Sequence, residues 1–211
     1  MRRLPVYLLL DTSGSMRGEP IQALKVGVQT LISTLRQDPH ALESVHVSII
    51  TYDAKPVVIC PLTSLEDFQM PLIECPQSGP TMTGAALEIL CRCVDKEVQR
   101  TTEDHKGDWR PIAFLITDGS PSDTALYERM IEQVQKRPFA SVIACAAGGR
   151  AKVEPLQKLT QHVFNLETMD GHSFAGLFQW VSSTVSSGNR SMGAASSIAL
   201  PPPPPEIQIV V

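Results

Sequence analysis

Aromatic residues are scarce, at 5% of the 211 residues. The core must therefore rest on Leu, Ile, Val and Ala. The five cysteines (Cys60, Cys75, Cys91, Cys93 and Cys145) form no Cys-x-x-Cys pair. None stands near a histidine at zinc spacing, so a thiolate zinc site is excluded. They read as reduced core or surface thiols of a reducing compartment. The histidines (His40, His46, His105, His162 and His172) lack a neighbouring Cys, His or acid at ligand spacing; they read as surface or turn residues. Lys and Arg are nowhere clustered and the formal net charge is −4, which argues against a nucleic-acid surface. No segment approaches the ~18 apolar residues that span a bilayer. Met1-Arg-Arg before an apolar run imitates a signal peptide. Pro5 interrupts that run, however, and Asp11 ends it with no small-residue cleavage site. The expectation is a cytoplasmic protein with no membrane insertion.

What the chain does carry is a repeated alternation of apolar strand and amphipathic helix. Leu4–Leu10 has the length and composition of a fully buried parallel strand. Glu19 and Pro20 open a helix whose Ile21, Leu24, Val28, Leu31, Ile32 and Leu35 share one face; Asp38-Pro39 ends it. Val45–Tyr52 and Pro56–Leu62 are two β-prone runs joined by a short turn at Asp53–Lys55. Strands so close must pair antiparallel, and Pro56 favours an edge. A helix over Thr83–Val98, a buried strand over Pro111–Thr117, and a helix from Thr124 to Lys136 capped by Asp123 follow. Next come a strand over Phe139–Ala147, a short helix at Val153–Leu159, a strand at His162–Leu166 and a helix from Ser173 to Val185. The predicted fold is α/β: a doubly wound, mostly parallel central sheet with one antiparallel edge strand and helices on both faces. Residues 1–187 form the domain. Residues 188–211 read as a flexible Ser/Gly-rich linker, a polyproline rod at Pro201–Pro205 and a β-prone terminus.

Two buried strands end alike, Leu8-Leu-Leu-Asp11 and Phe114-Leu-Ile-Thr-Asp118. As sheet neighbours they would set Asp11 and Asp118 across one crevice, at the carboxyl ends where open α/β sheets bind ligands. Asp11-Thr-Ser-Gly-Ser15 adds Ser13 and Ser15, and the turn Gly79-Pro-Thr-Met-Thr-Gly84 can bring Thr81 there. Two adjoining carboxylates repel, and a dication removes the conflict. Oxygen-only donors suit a hard ion: Mg²⁺, with Mn²⁺ as the alternative. Neutral hydroxyl ligands leave such an ion electrophilic.

In this order and between these elements, Asp11-x-Ser13-x-Ser15, Thr81 and Asp118 resemble the metal-ion-dependent adhesion site of von Willebrand factor A domains, a likeness covering about residues 4–187. The resemblance implies a Rossmann-like fold and a metal bound by Ser13, Ser15 and Thr81 directly, with Asp11 and Asp118 acting largely through water. It further implies a protein partner that offers a carboxylate. The motif register aligns Thr81 and leaves Thr83 as a helix cap or outer hydroxyl. A narrower similarity is to the small von Willebrand A proteins of bacterial tellurite-resistance and stress systems. It rests on Met1-Arg-Arg-Leu-Pro5 with Leu8-Leu-Leu-Asp-Thr-Ser-Gly-Ser-Met16, Val94-Asp-Lys-Glu-Val98, Lys106-Gly-Asp-Trp-Arg-Pro111 and the Pro201–Glu206 terminus. That similarity implies a cytosolic, non-enzymatic scaffold beside other Ter proteins or an associated phosphatase or kinase.

An enzyme is the rival reading: Mg²⁺-dependent phosphoryl transfer with an aspartyl nucleophile at Asp11. Ser13 stands where that chemistry wants a second acid, and no phosphate-binding glycine loop is present. A receiver-like signalling domain would need a paired acid and a switch lysine, and neither stands out. Lys106–Arg110 reads as a solvated loop in which Trp109 is either a packing anchor or an interface residue. For the tail, disorder stands beside a docking peptide that adds to a partner's sheet edge, with Glu206 as a carboxylate for a neighbouring copy's metal site.

Overall fold

The computed structural model describes residues 2–76, 79–104, 106–149, 151–191, 200–203 and 207–210. His105 and Glu206, with most of the linker, lie outside the described residues. The strands are β1 (Leu4–Asp11), β2 (Val45–Tyr52), β3 (Val57–Ser64), β4 (Ile112–Thr117), β5 (Ser141–Ala147), β6 (His162–Leu166) and β7 (Ile207–Ile209). The helices are α1 (Glu19–Arg36), α2 (Pro39–Ser44), α3 (Thr83–Glu97), α4 (Thr124–Gln135), α5 (Val153–Leu159) and α6 (Gly171–Ser191). One sheet takes the order β3-β2-β1-β4-β5-β6-β7. Strands β2, β1, β4, β5 and β6 run parallel; β3 and β7 pair antiparallel at the two edges.

The expected sheet and its antiparallel hairpin are present, and β7 adds a second antiparallel edge. Every residue of β1 is buried, because alternate side chains face opposite helical layers. Leu4, Val6, Leu8 and Leu10 join the layer with α1, α2 and α6; Tyr7 and Leu9 join that with α3, α4 and α5. Gly27 lets α1 approach α6, since a Cβ there would run into the Phe178 ring.

Four local expectations change. Asp38-Pro39 ends α1 but also starts α2: Asp38 accepts the His40 N–H at 3.0 Å and Pro39 takes the first helical position. The loop at Lys106–Arg110 is docked through Gly107, Asp108 and Trp109, with Lys106 and Arg110 exposed as expected. The Asp108 side chain is 3% exposed and grips Arg3. Trp109 packs on the core with the Arg2 guanidinium 3.6 Å over its ring, which favours the packing reading. Helix α6 continues past residue 187 to Ser191, and residues 207–209 pair with β6 instead of trailing as a free tail. A β-prone segment without a turn signal gives no hint of which edge it will join.

Candidate metal centre

Strand order reverses between β1 and β4: the chain passes from β1 to β2 on one side and from β4 to β5 on the other. The crevice at such a switch point is open at the carboxyl ends. Leu10 pairs with Ile116, so Asp11 and Asp118 leave neighbouring strands at the same end.

Asp11 is fully buried, and both its oxygens are engaged. Oδ1 accepts the Ser13 N–H at 2.8 Å; Oδ2 accepts the Thr117 hydroxyl at 2.6 Å. Burial raises its pKa above the ordinary carboxylate value. The hydrogen bonds from Thr117 and Ser13 oppose that shift, and the charge of Asp118 adds to it. Ser13 Oγ lies 3.2 Å from Ser15 Oγ, and the Ser15 hydroxyl donates to Asp118 Oδ1 at 2.9 Å. Ser13 is 2% exposed and Asp118 4%, whereas Ser15 is exposed. The crevice therefore opens on the Ser15 side.

Thr81 sits against the Asp118-Gly119 turn: its Oγ1 is 3.1 Å from where a Cβ of Gly119 would lie. The Thr81 N–H donates to Ser122 Oγ at 3.1 Å and its carbonyl accepts the Ser122 N–H at 2.8 Å. Thr83 does not cap α3. Met82 holds the cap position, and Thr83 Oγ1 is buried with no hydrogen-bond partner among the described residues.

These donors suit a hard dication. Octahedral Mg²⁺ keeps each oxygen at ~2.0–2.1 Å, so adjacent ligand oxygens lie ~2.9 Å apart. The Ser13 and Ser15 hydroxyl oxygens lie 3.2 Å apart, close to that spacing, and the 2.9 Å hydrogen bond to Asp118 holds Ser15 in place. No group of three or more His, Cys, Asp and Glu able to hold a metal exists among the described residues. The donor set is instead two carboxylates joined by hydroxyls.

Several supporting residues escaped the sequence reading. Asp123 precedes α4 as expected, but its carboxylate caps α3: Oδ1 accepts the Gly84 N–H at 2.9 Å and Oδ2 that of Ala85 at 2.8 Å. Gly84 permits this, since a Cβ there would meet Tyr127 N at 2.5 Å and Asp123 Oδ2 at 2.8 Å. Thr117 orients Asp11; its signal was a polar residue closing a buried strand. The Cys75 thiol donates to the Thr12 and Ser13 carbonyls at 3.2 and 3.1 Å, a contact across some sixty residues that no local pattern announces. Beside it lies a polar cleft of about 710 Å³ lined by Arg17, Lys25, Asp53, Glu74 and Cys75 among others. Asp53 closes its turn as expected, accepting the Lys55 N–H at 2.9 Å.

The chain matches the von Willebrand factor type A domain over residues 6–179 and belongs to that family. Among solved structures it is similar to a von Willebrand factor type A protein from Catenulispora acidiphila (18% identity, 88% of this chain and 43% of that one, TM-score 0.69). It is also similar to proximal thread matrix protein 1 of the mussel byssus (15%, 88% and 48%, 0.64). A further structure of that byssus protein has a zinc-occupied adhesion-site motif (15%, 88% and 48%, 0.61). The chain spans less than half the length of these proteins. At such identities they show the fold alone. No curated protein matches. No helix among the described residues is long and apolar enough to cross a membrane.

Proposed function

We propose that this chain is a metal-dependent protein-binding module. Asp11, Ser13, Ser15, Thr81 and Asp118 would hold the ion, Mg²⁺ first and Mn²⁺ as the alternative. Bound there, the dication supplies an electrophilic position for a carboxylate oxygen of a partner protein. The chain's own residues do the rest. Thr117 and the Ser13 N–H fix Asp11, Ser15 marks the open side, and the neighbouring cleft offers Arg17, Lys25, Asp53 and Glu74 to whatever flanks the partner's acid. The observation that carries the reading is the run of oxygens Ser13–Ser15–Asp118 at 3.2 and 2.9 Å.

The module is non-enzymatic in this reading. An aspartyl nucleophile must present an oxygen to substrate, and Asp11 is fully buried, oriented by hydrogen bonds from Ser13 and Thr117. The narrower assignment is to the TerY type of cytosolic scaffold in a tellurite-resistance and stress system, acting with other Ter proteins or an associated phosphatase or kinase. In its support, three separated blocks of that resemblance meet at the amino end of β1. Arg3 donates to Asp108 and to the Glu97 carbonyl, Tyr7 donates to the Glu97 carboxylate, and Arg2 covers Trp109.

Isothermal calorimetry with MgCl₂ and MnCl₂ tests the site: saturable binding by the wild type, lost in Asp11→Ala and Thr81→Ala variants that keep the native circular dichroism. Capture of a purified candidate partner should then be sensitive to EDTA. Absence of metal uptake by the folded wild-type chain, alone and with that partner, would refute the proposal.

A further inference from the structure

The two edges of the sheet are finished differently. Pro56 precedes β3 and Pro61 interrupts it, and the pairing with β2 shifts register between Val47 and Ile49 and again between Ile49 and Ile50. Missing N–H groups and a broken ladder discourage a further strand. Strand β6 has no such guard. His162–Leu166 contains neither proline nor lysine, and Val163, Phe164 and Leu166 are buried. An edge of this kind is a template for another strand.

That edge is covered by the chain's own residues. Leu166, Asn165 and Phe164 pair with Ile207, Gln208 and Ile209, and the Val210 N–H donates to the Val163 carbonyl at 3.0 Å. Antiparallel alternation then makes Gln208 the other residue that exchanges backbone hydrogen bonds, with Asn165. The Gln208 side-chain amide donates to Glu167 Oε1 at 2.6 Å, and Val210 packs on the α3–α4–α5 layer. Upstream, the Trp180 indole donates to the Pro201 carbonyl at 3.0 Å and Leu200 packs on the other layer. The segment thus straddles the edge of the sheet. Its strand is three residues long, too short to bind firmly on its own. Attachment to the same chain, through a high effective concentration, holds it there.

We propose that the outer edge of β6 is a strand-binding site, filled in cis by residues 207–210 and open in trans to the same residues of a second copy of this chain. The occupant is the segment already seated there. Exchange between identical copies keeps every hydrogen bond and changes only the tether, which is what makes strand swapping a low-cost route to a dimer.

The test uses a fluorescent peptide of residues 205–211 and full-length chains. In the Val210→Pro chain the donor to Val163 is gone and the cis strand is weakened. That chain should bind the peptide at least tenfold tighter than wild type, by anisotropy, and should not bind a peptide carrying the same substitution. Its Asn165 amide should exchange at least tenfold faster, with protection restored by the wild-type peptide. Gln208→Pro, which removes the other donor, must behave alike, so a folding failure in one variant leaves the other to decide. Sedimentation of the wild-type chain should show a dimer that grows as its concentration approaches the effective concentration of the tethered strand, and this dimer should be absent from Val210→Pro. Equal peptide binding by both chains, equal binding of a scrambled peptide, unchanged Asn165 exchange, or no concentration-dependent dimer of the wild type would overturn the proposal.

Discussion

At the amino end of β1 a buried carboxylate, Asp108, is closed by cation and backbone together. Arg3 binds it through Nε at 2.9 Å and through a second nitrogen at 2.6 Å, and the Gln99 N–H donates at 2.8 Å. At the carboxyl end of the same strand, Asp11 is buried against the Thr117 hydroxyl, the Ser13 N–H and the charge of a second carboxylate, Asp118. The first arrangement satisfies its own charge. The second holds negative charge at a desolvation cost that the Thr117 and Ser13 hydrogen bonds offset only in part, and a bound dication would offset it further. One end of β1 fastens the fold; the other is where the proposed function places the metal.

Removing one partner at each end should therefore have opposite consequences. The largest effect is expected for Asp108→Ala, which strands a partly buried Arg3. Urea unfolding should show a loss of about 2–3 kcal/mol, discounted for the residual exposure of Arg3, while any Mg²⁺-induced rise in melting temperature is unchanged. Asp11→Asn should do the reverse. Without metal it should be neutral or stabilising by about 1 kcal/mol, since a desolvated charge is removed. It should also abolish the metal-linked stabilisation, worth about 2.7 kcal/mol at a hundredfold excess over the dissociation constant. If both variants lost stability and both kept the metal response, the contrast between the two ends would be broken.

Local sequence revealed the parts of this contrast that depend on neighbours in the chain. The Asp11–Ser15 loop follows an apolar run, so its position at a strand end needed only strand length and composition. Asp118 followed by the same reasoning. The clamp on Asp108 was missed, because Arg3 and the loop at 106–110 are about a hundred residues apart and a charged Gly-Asp-Trp stretch looks solvated by default. Local sequence assigns Asp123 to the helix it precedes. Only the close approach of α4 to Gly84 hands its carboxylate to α3. Backbone pairing of Ile207–Ile209 with β6 likewise depends on which edge is open, a property of the assembled sheet.

The threonine turn sharpens the comparison at about the 1 kcal/mol level. Thr81→Ala should abolish Mg²⁺ binding with little change in metal-free stability. Thr83→Val replaces a buried hydroxyl that has no partner among the described residues by a methyl of similar volume and should stabilise by about 1 kcal/mol with metal binding intact. Titration calorimetry paired with thermal unfolding distinguishes them; the opposite assignment would move the ligand to Thr83.

The smallest effect comes from an ion pair between the extremes, Asp95 with Arg137, whose contacts are 3.0 and 2.6 Å but whose carboxylate is half exposed. Its hydrogen bond to Arg137 holds the Asp95 carboxyl below the ordinary carboxylate value of 3.8. Between the two values the unfolded chain binds more protons than the folded one, so stability rises with pH there. The contribution is complete above pH 3.8 and is lost as pH falls through the folded value. Solvent screening limits it to about 0.5 kcal/mol. Asp95→Asn should therefore cost that much at neutral pH, nothing at the acid limit, and progressively less in high salt, as read by urea unfolding across pH. A loss of several kcal/mol would mean that an exposed aspartate is held as firmly as Asp108, and burial would then cease to explain why the two ends of β1 differ.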